Sequence, residues 1–420
     1  MRQSTWKKLL ALLMVCVMTM ALLAGCGSSN GSQTNDTPTA EPTEAPAEPT
    51  EAPAENETPE APAQGGEEAA PADFSIEYAT GFKMQWMDGG VKLFTDANNV
   101  DHLLVPKDAE VPAGYDGVDV IRTPVERVYY TSTTDVGLLA ELKLDALYDT
   151  IAAVGNDISA WTNPQIIDRM ESGKIAYIDS TMAVPNIEEV ATLGPDLVLL
   201  YPNDTGFETA AQLDEFDIPY IMVSLTNEPT DEGIMEWMKA IAALYNEDAI
   251  ADETFKANVQ RMEDLKATAA QIDPENRPVV AYGLNYGGIV YTAGADSRTA
   301  QTIEAVGGVY AITDLAGASV QISLEEFVDK CRDADILIYT SLIDYLPDKT
   351  AMLEDAYYGD PLMAEFKAFQ NDTVYVYATD YYASSAAVTE KLEDWMAMVH
   401  PELMENYQLR HFVHLTDAAE

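Results

Sequence analysis

Two stretches about 140 residues apart, AVPNIEEVATLGPDLVLLYPND (183–204) and VQISLEEFVDKCRDADILIYTS (320–341), repeat one pattern. Each has an acidic helix start, a short amphipathic run, then an unbroken apolar run that ends in polar residues. A helix feeding a buried strand, written twice, demands two halves built alike. The flanking sequence agrees. RVYYTS, TIAAVG, KIAYID, DLVLLY and PYIMVS alternate with helical stretches before residue 246, and PVVAYG, DILIYTS and TVYVYAT do so after residue 277. Short strands separated by helices pair in parallel through right-handed crossovers, so the expected fold class is α/β, with two lobes of parallel-rich sheet over residues 122–246 and 273–420.

Between the lobes, residues 247–272 place Ile250, Phe255, Val259, Met262, Leu265, Ala269 and Ile272 at helical spacing with no Pro or Gly. The pattern predicts one amphipathic bridging helix about 39 Å long, a connector that permits only a small hinge. Residues 74–121 alternate apolar and polar positions around Asp88-Gly89-Gly90, which reads as an accessory β-hairpin segment.

The first 25 residues set Arg2, Lys7 and Lys8 ahead of an apolar run that is short for a membrane span, the form of an export signal. It ends in Leu23-Ala24-Gly25-Cys26, which resembles the bacterial lipobox, so Cys26 is the expected lipidation site, with a plain secretory peptide as the alternative. Residues 26–73 are rich in Pro, Glu, Ala and Thr, and this composition predicts a disordered stalk. The export segment carries +3 and the stalk −11 of the total −48, leaving −40 on residues 74–420. A field of that sign repels nucleic acid and anionic lipid. With Cys16 removed and Cys26 acylated, Cys331 stands alone and no disulfide forms within the chain. Its place on the inner helix face suits a buried structural thiol.

Capping rules divide the two repeats further. Asn186 with Glu189, and Ser323 with Glu326, stand in capping-box relation. Glu188 and Glu325, one residue earlier, have no such local duty. Each favours the positive end of its helix dipole. As a matched pair they also suit arginine sockets on a partner. The second copy is two residues longer from cap to strand, twelve against ten, which leaves the placement of Glu325 open.

TPVERVYYTSTTDVGLLAELKLDALYDTIAAVGN, VPNIEEVATLGPDLVLLY, VQISLEEFVDKCRDADILIY and MVHPEL resemble the signature segments of the ABC-importer substrate-binding lipoproteins for ferric siderophores, haem and cobalamin. The resemblance covers residues 121 to 403. It implies two α/β lobes joined by one long helix, a metal chelate held in the cleft, no intrinsic cofactor, and Glu188 and Glu325 docking on an ABC permease driven by a cytoplasmic ATPase. A monomer anchored to the cell membrane through Cys26 is the matching expectation.

Ligands of open α/β sheets sit beyond the carboxyl ends of the strands. That rule nominates Ser132, Trp161, Tyr201, Tyr286, Tyr345, Tyr381 and Tyr382, mostly aromatic and suited to a flat, aryl-rich ligand. Each taken singly also fits ordinary packing. Arg298 fits an anionic ligand group or a surface ion pair. A bare transition ion wants clustered His, Asp and Glu. His102, His400, His411 and His414 are dispersed, although the last two, three apart, are placed to share a helix face. The sequence favours an intact chelate or corrinoid over a naked metal. An enzyme is the rival reading, but no G-x-S-x-G elbow, P-loop or dinucleotide fingerprint is present. A chelate receptor or relay working without a permease is the other.

Overall fold

The computed structural model describes residues 74–416. The export segment, Cys26 and the stalk lie outside the described residues. Residues 83–123 form a four-stranded sheet in the order β1 (Lys83–Trp86), β2 (Lys92–Thr95), β3 (Asp101–Pro106) and β4 (Asp119–Thr123). The hairpin expected over 74–121 is its β1–β2 pair, turned by Gly89 and Gly90 at φ of 69° and 73°. Sequence alternation missed the rest: β3 continues the antiparallel run and β4 joins it in parallel.

The first lobe runs β5 (Val128–Tyr130), α1 (Thr133–Glu141), β6 (Ile151–Val154), α2 (Pro164–Glu171), β7 (Ala176–Tyr177), α3 (Ile187–Leu193), β8 (Leu197–Leu200), α4 (Asp204–Asp214), β9 (Tyr220–Met222) and α5 (Asp231–Tyr245). Its sheet has the order β7-β6-β5-β8-β9 with every pair parallel. β5, β6 and β8 are buried along their whole length, as unbroken apolar strands covered on both faces must be.

Helix α6 (Asp248–Ala269) follows, about 33 Å long, and packs on α5 of the first lobe and on α11 of the second. The second lobe comprises β10 (Val279–Tyr286), β11 (Ile289–Thr292), α7 (Arg298–Ala305), β12 (Val309–Tyr310), β13 (Val320–Ser323), α8 (Leu324–Cys331), β14 (Ile336–Leu342), α9 (Lys349–Glu354), α10 (Lys367–Gln370), β15 (Val374–Tyr377), α11 (Val388–Val399) and β16 (Phe412–His414). Its order is β13-β11-β10-β14-β15-β16, with β12 beside β10. The centre is parallel, whereas β11 and β16 run antiparallel to their neighbours. Gly287 and Gly288, at φ of 61° and 91°, turn β10 into β11 in the tight form that twisted hairpins favour.

The repeat that opens the argument has a packing reason. Asp196, just before β8, accepts the backbone N–H groups of Glu126 and Arg127 at the entrance to β5. Asp335, just before β14, accepts from Val279 at the head of β10. Each aspartate therefore locks the register of its strand against the first strand of its own lobe. The two extra residues of the second copy fall after the cap: α8 is one residue longer than α3, and the link to the strand is one residue longer. Glu188 and Glu325 thus keep the same position relative to their caps.

The segment entering the fold is held by two carboxylates. Glu236, fully buried, accepts the backbone N–H groups of Glu77, Tyr78 and Ala79 and pairs with Lys239 at 3.0 Å. Glu228 accepts from Thr80, Gly81 and the indole N–H of Trp237. Glu236→Ala strands three backbone donors and leaves the buried Lys239 ammonium with only Asp252 and the Ser75 carbonyl, so an expected loss of ~3–5 kcal/mol should lower the denaturation midpoint sharply. An unchanged midpoint would mean that this clasp contributes nothing.

Candidate functional site

The carboxyl ends of β10, β14 and β15 carry a wall of tyrosines. Tyr286 stacks on Tyr357 at 5.8 Å between ring centres and meets Tyr358 at 5.8 Å, and Tyr358 stacks on Tyr345 at 5.7 Å. Tyr381 lies flat on Tyr377 at 3.5 Å and meets Tyr382 edge-on at 5.6 Å. Behind them the Tyr377 and Tyr282 hydroxyls share a 2.8 Å hydrogen bond. Burial, then the neighbouring tyrosines, pushes the Tyr382 phenol well above its ordinary value, and burial also raises those of Tyr345 and Tyr381. These rings therefore present faces and intact hydroxyls, which suits a ligand whose metal is already wrapped.

Four of the expected residues, Tyr286, Tyr345, Tyr381 and Tyr382, belong to this wall. Tyr357 and Tyr358 were missed because they follow no strand. Asp355 holds the turn that carries them by accepting both their backbone N–H groups at 2.8 and 2.9 Å, which leaves Tyr358 buried and Tyr357 exposed. The only sequence signal for them is the adjacent pair itself. Tyr377 is the last residue of β15.

On the first lobe, Ser132 caps α1 by accepting from Thr134 at 3.2 Å. Trp161 is 6% exposed and turns its indole N–H to the Asn156 carbonyl at 3.3 Å. Tyr201 donates to Asn227 at 3.2 Å. A cavity of about 330 Å³ lies where the lobes meet, with α1 and Trp161–Pro164 on one side and Asp380, Ala383, Ser384, Ala387, Glu390 and His411 on the other. The approach is close: a Cβ built on Gly137 would stand 2.5 Å from the Ala383 carbonyl oxygen. Trp161 lines this cavity, whereas Ser132, Tyr201, Tyr286, Tyr345, Tyr381 and Tyr382 are outside its lining.

Arg298 is placed differently. Its Nε lies 3.5 Å from Asp231 and its Nη1 3.4 Å from the Glu228 carbonyl, an ion pair that joins α7 to α5 across the lobes. The ion pair named by one of its two sequence readings is therefore present, with the side chain still 42% exposed.

The histidines are dispersed. His102 lies 3.4 Å from Asp96, His400 meets the Gly307 carbonyl, and His414 the Asp372 carbonyl. The helix face expected for His411 and His414 does not exist. β16 occupies that stretch, and a separation of three residues along an extended strand puts side chains on opposite faces. Among the described residues no three His, Cys, Asp or Glu come together as a metal site. Cys331 is buried, and burial pushes its thiol up to about 12.

Glu188 and Glu325 are exposed in the first turns of α3 and α8, behind caps in which Asn186 and Ser323 accept from the third residue on. Neither side chain makes an ion pair among the described residues. Both helices begin beside the carboxyl ends of parallel strands, α3 after β7 and α8 after β13, which two antiparallel pairings align with β10. The two carboxylates therefore stand on the rims that also carry the ligand candidates.

A model of the periplasmic binding protein family matches residues 130–381. An uncharacterised lipoprotein of Methanocaldococcus jannaschii is 27% identical over 432 residues, covering 97% of this chain and 96% of its own. A cobalamin-binding protein of Halobacterium salinarum is 30% identical over 193 residues, 45% of this chain and 47% of its own. The ferric-anguibactin-binding protein of Vibrio anguillarum is 25% identical over 304 residues, 70% of this chain and 85% of its own.

Proposed function

The chain belongs to the periplasmic binding protein family, and from that premise we propose that it is a lipid-anchored extracytoplasmic carrier that captures an intact metal chelate between its lobes and delivers it to an ABC permease. The observation that carries the proposal is the wall of tyrosines at the strand ends, which faces a ligand with rings and hydroxyls and offers no clustered metal ligands. A ferric siderophore, haem or a corrinoid has the flat or aryl-rich surface such a wall recognises. The names of two relatives, one cobalamin-binding and one ferric-anguibactin-binding, support the chelate class.

Under this reading Ser132, Trp161 and Tyr201 serve the first lobe's side of the site, and Tyr286, Tyr345, Tyr381 and Tyr382 the second, joined by Tyr358. Arg298, paired with Asp231 and still part-exposed, is the residue placed to meet an anionic group of the ligand. Glu188 and Glu325 meet arginines of the permease. Cys26 carries the lipid, a proposal that rests on the lipobox and agrees with a full-length relative that is named a lipoprotein. Binding changes no covalent bond, and the long helix limits closure to a small angle. Saturable quenching of Trp161 and tyrosine fluorescence by one of the three chelate classes tests the proposal.

A further inference from the structure

Both faces of the Tyr381 ring are already taken. Tyr377 lies flat against one of them at 3.5 Å, with 4° between the planes. The Lys391 ammonium stands 4.0 Å over the ring, and with Tyr377 so close it has room only on the opposite face. The same ammonium donates to the Tyr381 carbonyl at 2.9 Å. Tyr382 and Phe412 meet the ring edge-on at 5.6 and 5.3 Å. What Tyr381 can offer a ligand is therefore its hydroxyl end, in an orientation that its neighbours fix. Face-to-face stacking is the arrangement two ring quadrupoles favour least, so the attraction of the ammonium for the outer face counts towards holding the pair.

We propose that Lys391 is a positioning residue of the tyrosine wall: its ammonium clamps Tyr381 against Tyr377, sets the Tyr381 hydroxyl for the ligand, and releases that clamp when it loses its proton. The proposal rests on the chelate reading above and adds the residue that governs its grip. Lys391 lies in the first turn of α11. The charges nearest it are Asp380 and Arg298 of its own lobe and Asp231 and Glu141 of the other. Of the other charges on α11, Glu390 pairs with Arg410, and Glu393 with Arg261 of α6. Burial, with Arg298 beside it, outweighs the three carboxylates and pulls the Lys391 ammonium down to about 7. Below that pH the cation stands over the ring. As pH rises through it, the amine keeps an N–H for the Tyr381 carbonyl but loses the cation–π attraction, so the grip on the ligand weakens towards alkaline pH. Asp135 on α1, its carboxyl raised to about 8 by burial, titrates close to the same window, so variants at Lys391 must separate the two.

The test uses the full mature chain and two readouts. The first needs no ligand: the near-ultraviolet circular dichroism of the tyrosines is followed from about pH 6 to about pH 9. The wild type should show a transition centred near pH 7. Lys391→Met should remove it, and Lys391→Arg, a cation throughout this range, should hold the low-pH signal to the end. The second readout is the affinity for cyanocobalamin, ferrioxamine B and haem at about pH 6 and about pH 8, taken as ratios between variants so that titration of the probe cancels. For whichever probe binds, the wild type should exceed Lys391→Met about tenfold at the lower pH and match it at the higher, while Lys391→Arg keeps its affinity at both. A lysine with a merely structural role would give one ratio at both pH values. That result overturns the proposal, as does a dichroic transition that is missing near pH 7 or that survives in Lys391→Met or Lys391→Arg. Should the methionine variant not fold, the arginine variant decides by the same two readouts. If none of the three chelates binds, the chelate reading fails, and the dichroism alone decides whether Lys391 clamps Tyr381.

Discussion

Gly137→Leu is expected to weaken chelate binding about a hundredfold, roughly 3 kcal/mol, while the fold persists. Gly137 lies within α1, where the lobes approach until a Cβ would sit 2.5 Å from the Ala383 carbonyl oxygen and 3.6 Å from its carbon. Those atoms are backbone and cannot swing aside as a long side chain does. A leucine is accommodated only by parting the lobes at this seam, which pulls the Trp161 side of the site from the tyrosine side. Within the helix the change is favourable, because glycine is worth about 1 kcal/mol less than a good helix former. Affinity and stability should therefore separate: calorimetry shows the loss and a denaturation curve shows a folded protein. Unchanged affinity would mean that the ligand is held by one lobe alone.

Glu188→Ala combined with Glu325→Ala should reduce uptake through the cognate permease about a hundredfold or more and leave chelate affinity unchanged. Truncating one partner of a desolvated charge pair costs ~2–5 kcal/mol, and two such pairs are removed. The carrier itself loses little, because an exposed first-turn carboxylate stabilises its helix by under about 1 kcal/mol. Glu189 and Glu326 provide the internal contrast, being the residues whose backbone N–H groups Asn186 and Ser323 receive. Transport assayed beside equilibrium binding separates the two steps. Full uptake by the double variant would end the docking assignment and leave the binding function intact.

The sequence displayed the two-lobed architecture because buried parallel strands are written as unbroken apolar runs, and the repeat exposed one such unit per lobe. It did not display why the repeat closes on an aspartate. Asp196 and Asp335 act on residues 70 and 56 positions earlier, and that contact exists only once the strands pair. The strand-end rule nominated Tyr286, Tyr345, Tyr381 and Tyr382 because each lies at or a few residues past the carboxyl end of a strand. It could not find Tyr358, which a loop delivers through the Asp355 turn. The seam cavity was beyond reach for a related reason: it is assembled from two lobes, and no local pattern joins residue 141 to residue 411. The ion pair of Arg298 was legible as a kind of contact, but its partner Asp231 was not, because the two residues meet only once the lobes pack.

The account stands most directly on one titration. Full-length protein is titrated with a ferric siderophore, with haem and with a cobamide while its intrinsic fluorescence and the ligand's own spectrum are followed. The result predicted is saturable quenching by one class, one chelate per chain, with the metal still coordinated. Quenching by none of the three, or retention of the bare ion stripped from its chelator, would contradict it.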